Sequence, residues 1–290
     1  MRMTATSSAV QVGPLLRQWR QRQRLTQLEL ALETGISARH LSFVETGRSK
    51  PGRDMLLRIG ERLQIPIRER NRLLLAAGHA PAFPEHPLGA PELASFRKAL
   101  KHVLASHEPY PAIVFDRSWN LVAGNAAMGS LLEGIDPAVL EPPVNVLRVG
   151  LAFTNRFINT PEVAGYFSDR VERQLAATAD DQLAQILAQL KRYARRRGER
   201  DATNEVESAE SIGLMKIRAP DGAEWSFVCM FGAFDMPFEV TISELAIELL
   251  FPADRTTADA FQSLAREREE RSTRAGSETS RANTHTAFEL

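Results

Sequence analysis

One cysteine, Cys229, stands in 290 residues, so an internal disulfide framework is excluded and the chain suits a reducing compartment. Long apolar runs are missing too: no stretch reaches the 18 or so residues that a membrane-spanning helix needs. The opening residues MRMTATSSAVQV lack the apolar core that a secretory signal places before its cleavage site. These absences predict a soluble, cytoplasmic protein with no membrane partner. Also absent are G-x-S-x-G, a phosphate-binding glycine loop and H-E-x-x-H. The histidines do not gather: His79 and His86 fall in a Pro-rich stretch, and His102 and His107 have a poor spacing for two ligands on one helix face. The sequence therefore predicts no enzyme, no metal and no cofactor. Cys229, with no second thiol to pair with, reads as a small buried hydrophobe rather than a redox switch.

An overall excess of charge is lacking as well, the formal net charge being +0, but this balance hides an asymmetry. Residues 1–80 carry 14 Lys and Arg against 6 Asp and Glu, a net of +8, which leaves −8 for the remainder. A cationic block of this size is what a phosphate-binding module needs, because each neutralised phosphate releases condensed counterions. The length suits two domains.

Residues 14–78 read as five short helices separated by turn chemistry. Pro14 suits a first helical residue, with Leu15, Leu16 and Trp19 at helical spacing. Thr26 reads as the N-cap of a second helix that Gly35 stops. Ser37 reads as the cap of a third, which turns Leu41 and Val44 inward and leaves Arg39, His40 and Ser42 outward. Gly47 ends it, and Asp54 to Leu63 and Ile67 to Ala77 supply two more. The stretch GHAPAFPEHPLGAP, rich in Pro, Gly and Ala, reads as a linker.

Beyond it, Glu92 to Ser106 reads as a helix and AIVFDRSWNLVAG as two short strands around the turn Asp116 to Ser118. Asn125 opens a small helix, and residues 161–197 read as two helices broken near Thr178 to Asp181. Arg195 to Arg197 reads as a solvated helix end, favoured by the negative C-terminal dipole. Ile212 to Arg218, Trp225 to Ala233 and Leu245 to Phe251 read as strands, with Leu245, Ile247, Leu249 and Phe251 alternating. The pattern predicts a five-stranded antiparallel sheet with helices against one face, the outline of a PAS-like sensor. From Arg266 the chain is polar with little to bury, the mark of disorder. The expected organisation is an all-α five-helix DNA-binding domain over residues 1–78, a linker over 79–91, an α+β PAS-like domain over 92–265 and a disordered tail over 266–290.

Two helices joined by a glycine turn, the second exposing polar side chains, meet the requirement for placing a helix in a major groove about 12 Å wide. Here the sequence resembles the XRE family of Cro and phage-repressor type helix-turn-helix regulators. The resemblance rests on Arg20 and Gln27, Glu29, Leu30 and Ala31, Gly35, Ile36 and Ser37, then Leu41, Ser42, Val44, Glu45 and Gly47. It implies that Gln27, at a helix start, donates to a backbone phosphate. Ser37, Ala38, Arg39, His40 and Ser42 become the face toward the bases, with Arg39 able to offer guanine two parallel hydrogen bonds. Phe43 meets a thymine methyl or packs on the phosphodiester backbone. Arg48, Ser49 and Lys50 become phosphate clamps, and Arg20 with Glu45 a scaffolding ion pair.

The segments HEPYPAIVFDRSWNLVAGNAA and EVTISELAIELLFPADRTTADAF resemble the ligand-binding domain of MmyB-like regulators. That resemblance implies sensing of a small molecule, a fatty acid or similar amphiphile being one candidate. Trp119, Phe153, Phe157, Tyr166, Phe227, Met230, Phe231, Phe234 and Met236 are the candidate lining of a mostly apolar pocket. At these spacings each also suits an ordinary core. Asn125 could orient a ligand, although it already suits a helix N-cap. The whole reads as a homodimeric transcription regulator that binds a double-stranded operator. The rival reading keeps the DNA-binding half and makes the second domain a dimerisation or protein-partner platform without a ligand.

Overall fold

The computed structural model describes residues 11–178, 181–201, 214–234 and 236–278. They divide into two units: one gathers the described residues of Met1–Pro87 and Asp235–Ser243, the other those of Leu88–Phe234 and Glu244–Leu290.

The first unit is built of α1 (Val12–Arg22), α2 (Gln27–Thr34), α3 (Ala38–Glu45), α4 (Arg53–Arg62) and α5 (Ile67–Ala76), joined by the short α11 (Val240–Ser243). Pro14 lies within the first turn of α1, where no intrahelical N–H is required, although the helix starts earlier, at Val12. Thr26 caps α2 in a reciprocal box with Glu29, each side chain accepting the other's backbone N–H. Gly35 ends α2 at φ +69°, in the left-handed region that glycine enters without cost. Leu16, Leu30, Leu41, Val44 and Ile59 are wholly buried and form the core that fixes the helices.

The stretch expected to be a linker is stitched to this unit through Pro87. The Asn71 side-chain carbonyl accepts the Ala82 and Phe83 N–H groups at 2.9 and 3.1 Å, and its amide donates to the Phe83 carbonyl at 2.8 Å. The Glu239 carboxylate holds the His86 N–H and ring Nδ1 at 3.0 and 2.8 Å, while the Thr241 hydroxyl donates to the His86 carbonyl. Proline-rich chain lacks N–H groups for regular structure, but its carbonyls and the remaining amides find these distant partners.

The second unit contains α6 (Ala94–Ser106), β1 (Ala112–Phe115), β2 (Leu121–Gly124), α7 (Ala127–Leu132), α8 (Val146–Ala152), α9 (Thr160–Thr178), α10 (Asp181–Asp201), β3 (Leu214–Arg218), β4 (Glu224–Ala233), β5 (Ala246–Pro252) and α12 (Arg255–Glu278). The strands pair antiparallel in the order β2-β1-β5-β4-β3, so β5 is central. Across β5, Glu248 sits opposite Ile113 of β1 and Phe231 of β4.

Helices pack on both faces of this sheet, not on one. Leu100 and Leu104 of α6 cover Ala112, Val114, Leu245 and Ile247 on one side. On the other, α7 to α10 and α12 meet Ile113, Phe115, Phe227 and Leu250. The alternating set Leu245, Ile247 and Leu249 therefore faces α6, and the intervening Ala246, Glu248 and Leu250 are buried too. The tail expected to be disordered from Arg266 instead continues α12 to Glu278, because Phe261 and Leu264 near its start anchor the helix on the sheet. Ile212, read as a strand residue, lies outside the described residues, as do the side chains of Arg196 and Arg197; Arg195 is exposed on α10.

Candidate functional site

The geometry of α2 and α3 is fixed from beneath by one buried ion pair. Arg20 of α1 meets Glu45 at the end of α3 through Nε–Oε1 at 2.6 Å and a second nitrogen–oxygen contact at 2.8 Å, and its third nitrogen donates to the Leu25 carbonyl at 2.7 Å. The fork-to-fork arrangement satisfies both charges away from water. Gln27 joins it: its amide donates to Glu45 Oε2 at 2.8 Å. The residue expected to reach a phosphate is thus held at the first position of α2 by the same carboxylate that orients α3. One amide hydrogen is committed to Glu45, and the other has no partner among the described residues.

On α3 the Ser37 hydroxyl accepts the His40 N–H at 3.1 Å, the N-cap expected of it. Arg39 is exposed and lies over the Phe43 ring, 5.4 Å from its centroid, so the two share one outward patch. His40 and Ser42 are half-buried beside them, and Ala38 packs partly against the core. The loop after α3 folds back on it, with the Arg48 and Ser49 N–H groups donating to the Phe43 carbonyl at 2.7 and 3.1 Å. Arg48 and Lys50 are exposed there, Ser49 half-buried. The ten candidate DNA contacts therefore lie on one helix and its N-cap, the loop that follows it and the first residue of the helix before it.

In the second unit a cavity of about 60 Å³ lies between β5, α7, α8 and α9. A second of about 30 Å³ lies beyond Phe157 and Phe167, which line both. Of the residues expected to line a pocket, Phe153 and Phe157 line these two cavities and the others do not. Trp119 is fully buried in the core at φ +64°, stacked 4.6 Å from Phe115 and donating its indole N–H to Gln174. Phe227 packs edge-on against Phe261 of α12. Phe231 and the exposed Tyr166 meet at a tilt, and each packs edge-on against Phe167, with neither in the wall of these cavities. Phe234 packs on Phe96, Met230 is exposed on the opposite sheet face, and Met236 belongs to the first unit. Asn125 neither faces a cavity nor caps α7. Its carbonyl accepts the Ala112 N–H, its amide donates to the Leu104 and Tyr110 carbonyls, and the first turn of α7 is instead met by the Glu108 carboxylate at Ala127.

The residue that the sequence reading missed is Glu248. It is 3% exposed and is the one charged side chain in the wall of the larger cavity. Burial pushes its carboxyl up to about 7, against a hydrogen bond from the Cys229 thiol and the field of Arg170. Burial likewise pushes the Cys229 thiol up, with the Glu248 charge adding to it, so the thiol stays protonated and serves as a donor. Arg170 forms no ion pair with Glu248. It lies over the Phe231 and Trp119 rings at 4.2 and 5.6 Å, and burial lowers its pKa. The signal available in the sequence was a carboxylate flanked by Ala246 and Leu250 on the same face of a strand whose other face is also apolar.

Two family models match the chain. The MmyB-like transcription regulator ligand binding domain matches residues 96–264, and the helix-turn-helix matches residues 16–70. No curated protein matches.

Proposed function

The chain belongs to the MmyB-like transcription regulators, whose ligand-binding domain covers more than half of it, and we propose that it is a cytoplasmic homodimer that binds an operator and is controlled by a small apolar molecule. It is a DNA-binding transcription regulator with a ligand-binding domain. The observation that carries the finer reading is the outward patch of α3, Arg39 with Phe43, His40 and Ser42, set on a buried Arg20–Glu45–Gln27 network in the basic part of the chain. In this reading Arg39 reads a base, and Gln27 and the Arg48–Lys50 loop hold phosphates. A two-fold dimer sets two such helices about 34 Å apart, one turn of DNA. A ligand changes DNA affinity only as far as it distinguishes DNA-competent from incompetent arrangements. An acyl-chain amphiphile, a fatty acid among them, suits the apolar cavity walls.

Selection of bound sequences from a random DNA pool, followed by titration of the winner with and without added amphiphile, tests both halves. Recovery of no preferred sequence would sink the operator reading. The small size of the two apolar cavities against the sheet, about 60 and 30 Å³, favours a second reading, since ligand pockets generally run to about 300 Å³ or more: the domain is a dimerisation or partner platform with no ligand. Native mass spectrometry separates the two. A stoichiometric small molecule released on denaturation supports sensing, and an empty dimer supports the platform.

A further inference from the structure

A loop that holds phosphates binds best when it is already in place, because ordering a free segment on contact costs conformational entropy. The loop between α3 and α4 is fastened at both ends. At the first, the Arg48 and Ser49 N–H groups donate to the Phe43 carbonyl. At the second, the carbonyl of the buried Pro51 meets Nε2 of His79 at 2.9 Å. A carbonyl can only accept, so Nε2 carries the proton and donates it to the bond.

The end of α5 aims that ring. Gly78 turns the chain at φ +78°, its N–H donating to the Leu75 carbonyl at 2.9 Å and the His79 N–H to the Leu74 carbonyl at 2.8 Å, the two bonds of a Schellman cap. Leu74 is wholly buried, so the backbone that carries His79 is anchored in the core. Lys50 lies at the same turn: a Cβ on Gly78 would stand 3.0 Å from its ammonium nitrogen, and the last carbonyls of a helix favour a cation. Two consecutive loop residues, Lys50 and Pro51, are therefore set by the end of α5. Beyond His79 the chain stays fastened, by Asn71 at Ala82 and Phe83 and by Glu239 at His86. We infer that His79 is a positioning residue for DNA binding, holding the Arg48–Lys50 loop in the arrangement that reaches phosphates and joining that loop to the segment that leaves α5. The inference rests on the reading of this loop as a phosphate holder.

The test is fluorescence anisotropy of the full chain with a labelled random-sequence duplex across a salt series, with thermal melts to show that each variant is folded at the assay temperature. His79→Phe keeps a ring and has nothing to donate. It should weaken binding about fivefold at about 150 mM salt and lower the salt slope by about one, the worth of one phosphate contact. His79→Gln, whose amide can donate in place of Nε2, should restore both. An unchanged affinity and slope in His79→Phe, or a loss that His79→Gln does not restore, overturns the inference. Lys50→Ala tells which reading has failed. If it lowers the slope while His79→Phe does not, the loop holds phosphates without help from His79; if neither variant changes the binding of the duplex, the loop reading falls and this inference with it. Should His79→Phe not fold, His79→Ala takes its place in the same comparison.

Discussion

Two exposed cations, one on α3 and one in the loop after it, are proposed to do different work. Arg39, on the outward patch of α3, should cost roughly 1 to 3 kcal/mol of specific binding when changed to Ala and relax preference at one base pair. Lys50→Ala, in the loop, should weaken all sequences alike and reduce the salt slope by about one counterion. Fluorescence anisotropy on operator and random DNA across a salt series checks both, and equal losses on the two DNAs from the Arg39 change would assign it to phosphate. Glu248 carries a prediction in pH. Its carboxyl, raised from 4.5 to about 7, keeps a proton in the folded chain that the unfolded chain has released. Stability from this group is therefore greatest below pH 4.5, falls as pH rises toward 7 and is flat above. Glu248→Gln removes that slope and should gain up to about 3 kcal/mol over the unaltered protein above pH 7. The groups set against Glu248 are Cys229 on β4 and Arg170 and Tyr166 on α9, all present in both proteins. Denaturant titrations at pH 5 and pH 8 measure the difference, and equal gains at the two values would refute the assignment.

At the level of elements, the packing of α1 on α3 depends on a missing side chain. A Cβ at Gly13 would come within 2.5 Å of the Val44 carbonyl oxygen and 2.7 Å of that of Glu45. Gly13→Ala must push α1 away from the helix end that Arg20 grips, and overpacking of this kind costs about 1 to 3 kcal/mol. Gly129, inside α7 with nothing within 4 Å of its virtual Cβ, is the contrasting site: Ala there should stabilise by up to about 1 kcal/mol. Thermal melts of both variants give the comparison, and a neutral Gly13 change would mean that α1 is not seated as described. The helices of the first unit were legible because their signals are local: Thr26, Gly35 and Ser37 each announce a boundary within a few residues. The central strand was legible only by half. Its alternation of Leu245, Ile247 and Leu249 pointed inward correctly, but a period-two pattern cannot say that a second layer covers the other face, and so nothing in it singled out Glu248. Asn125 was misread for a related reason, since its partners at Leu104, Tyr110 and Ala112 are joined by tertiary packing and not by neighbourhood in sequence.

For the whole molecule, the basic N-terminal part and its helix-turn-helix were readable from charge and spacing, while the cavity lining was not, because aromatic residues at strand and helix spacing look the same in a core as in a cavity. The dimer proposal has a geometric test. Moving two half-sites from one turn of DNA to one and a half should abolish tight binding, whereas inserting a full turn should recover part of it. Binding insensitive to that spacing in gel-shift titrations would mean that each copy acts alone.

The segment ending at Ser243 lies between β4 and β5, within the part of the sequence that encodes the sheet, and yet it folds with the helical unit through His86, Pro84 and α5. That arrangement bears on how such a regulator can be recombined. A gene fusion made at Pro87 would give a foreign DNA-binding module a sensor carrying a docking piece made for another surface, and would leave the native module without the carboxylate that holds His86. The two halves are therefore not interchangeable parts. Substitutions on α5 and in α11 must drift together, and a working chimera has to carry both across the junction.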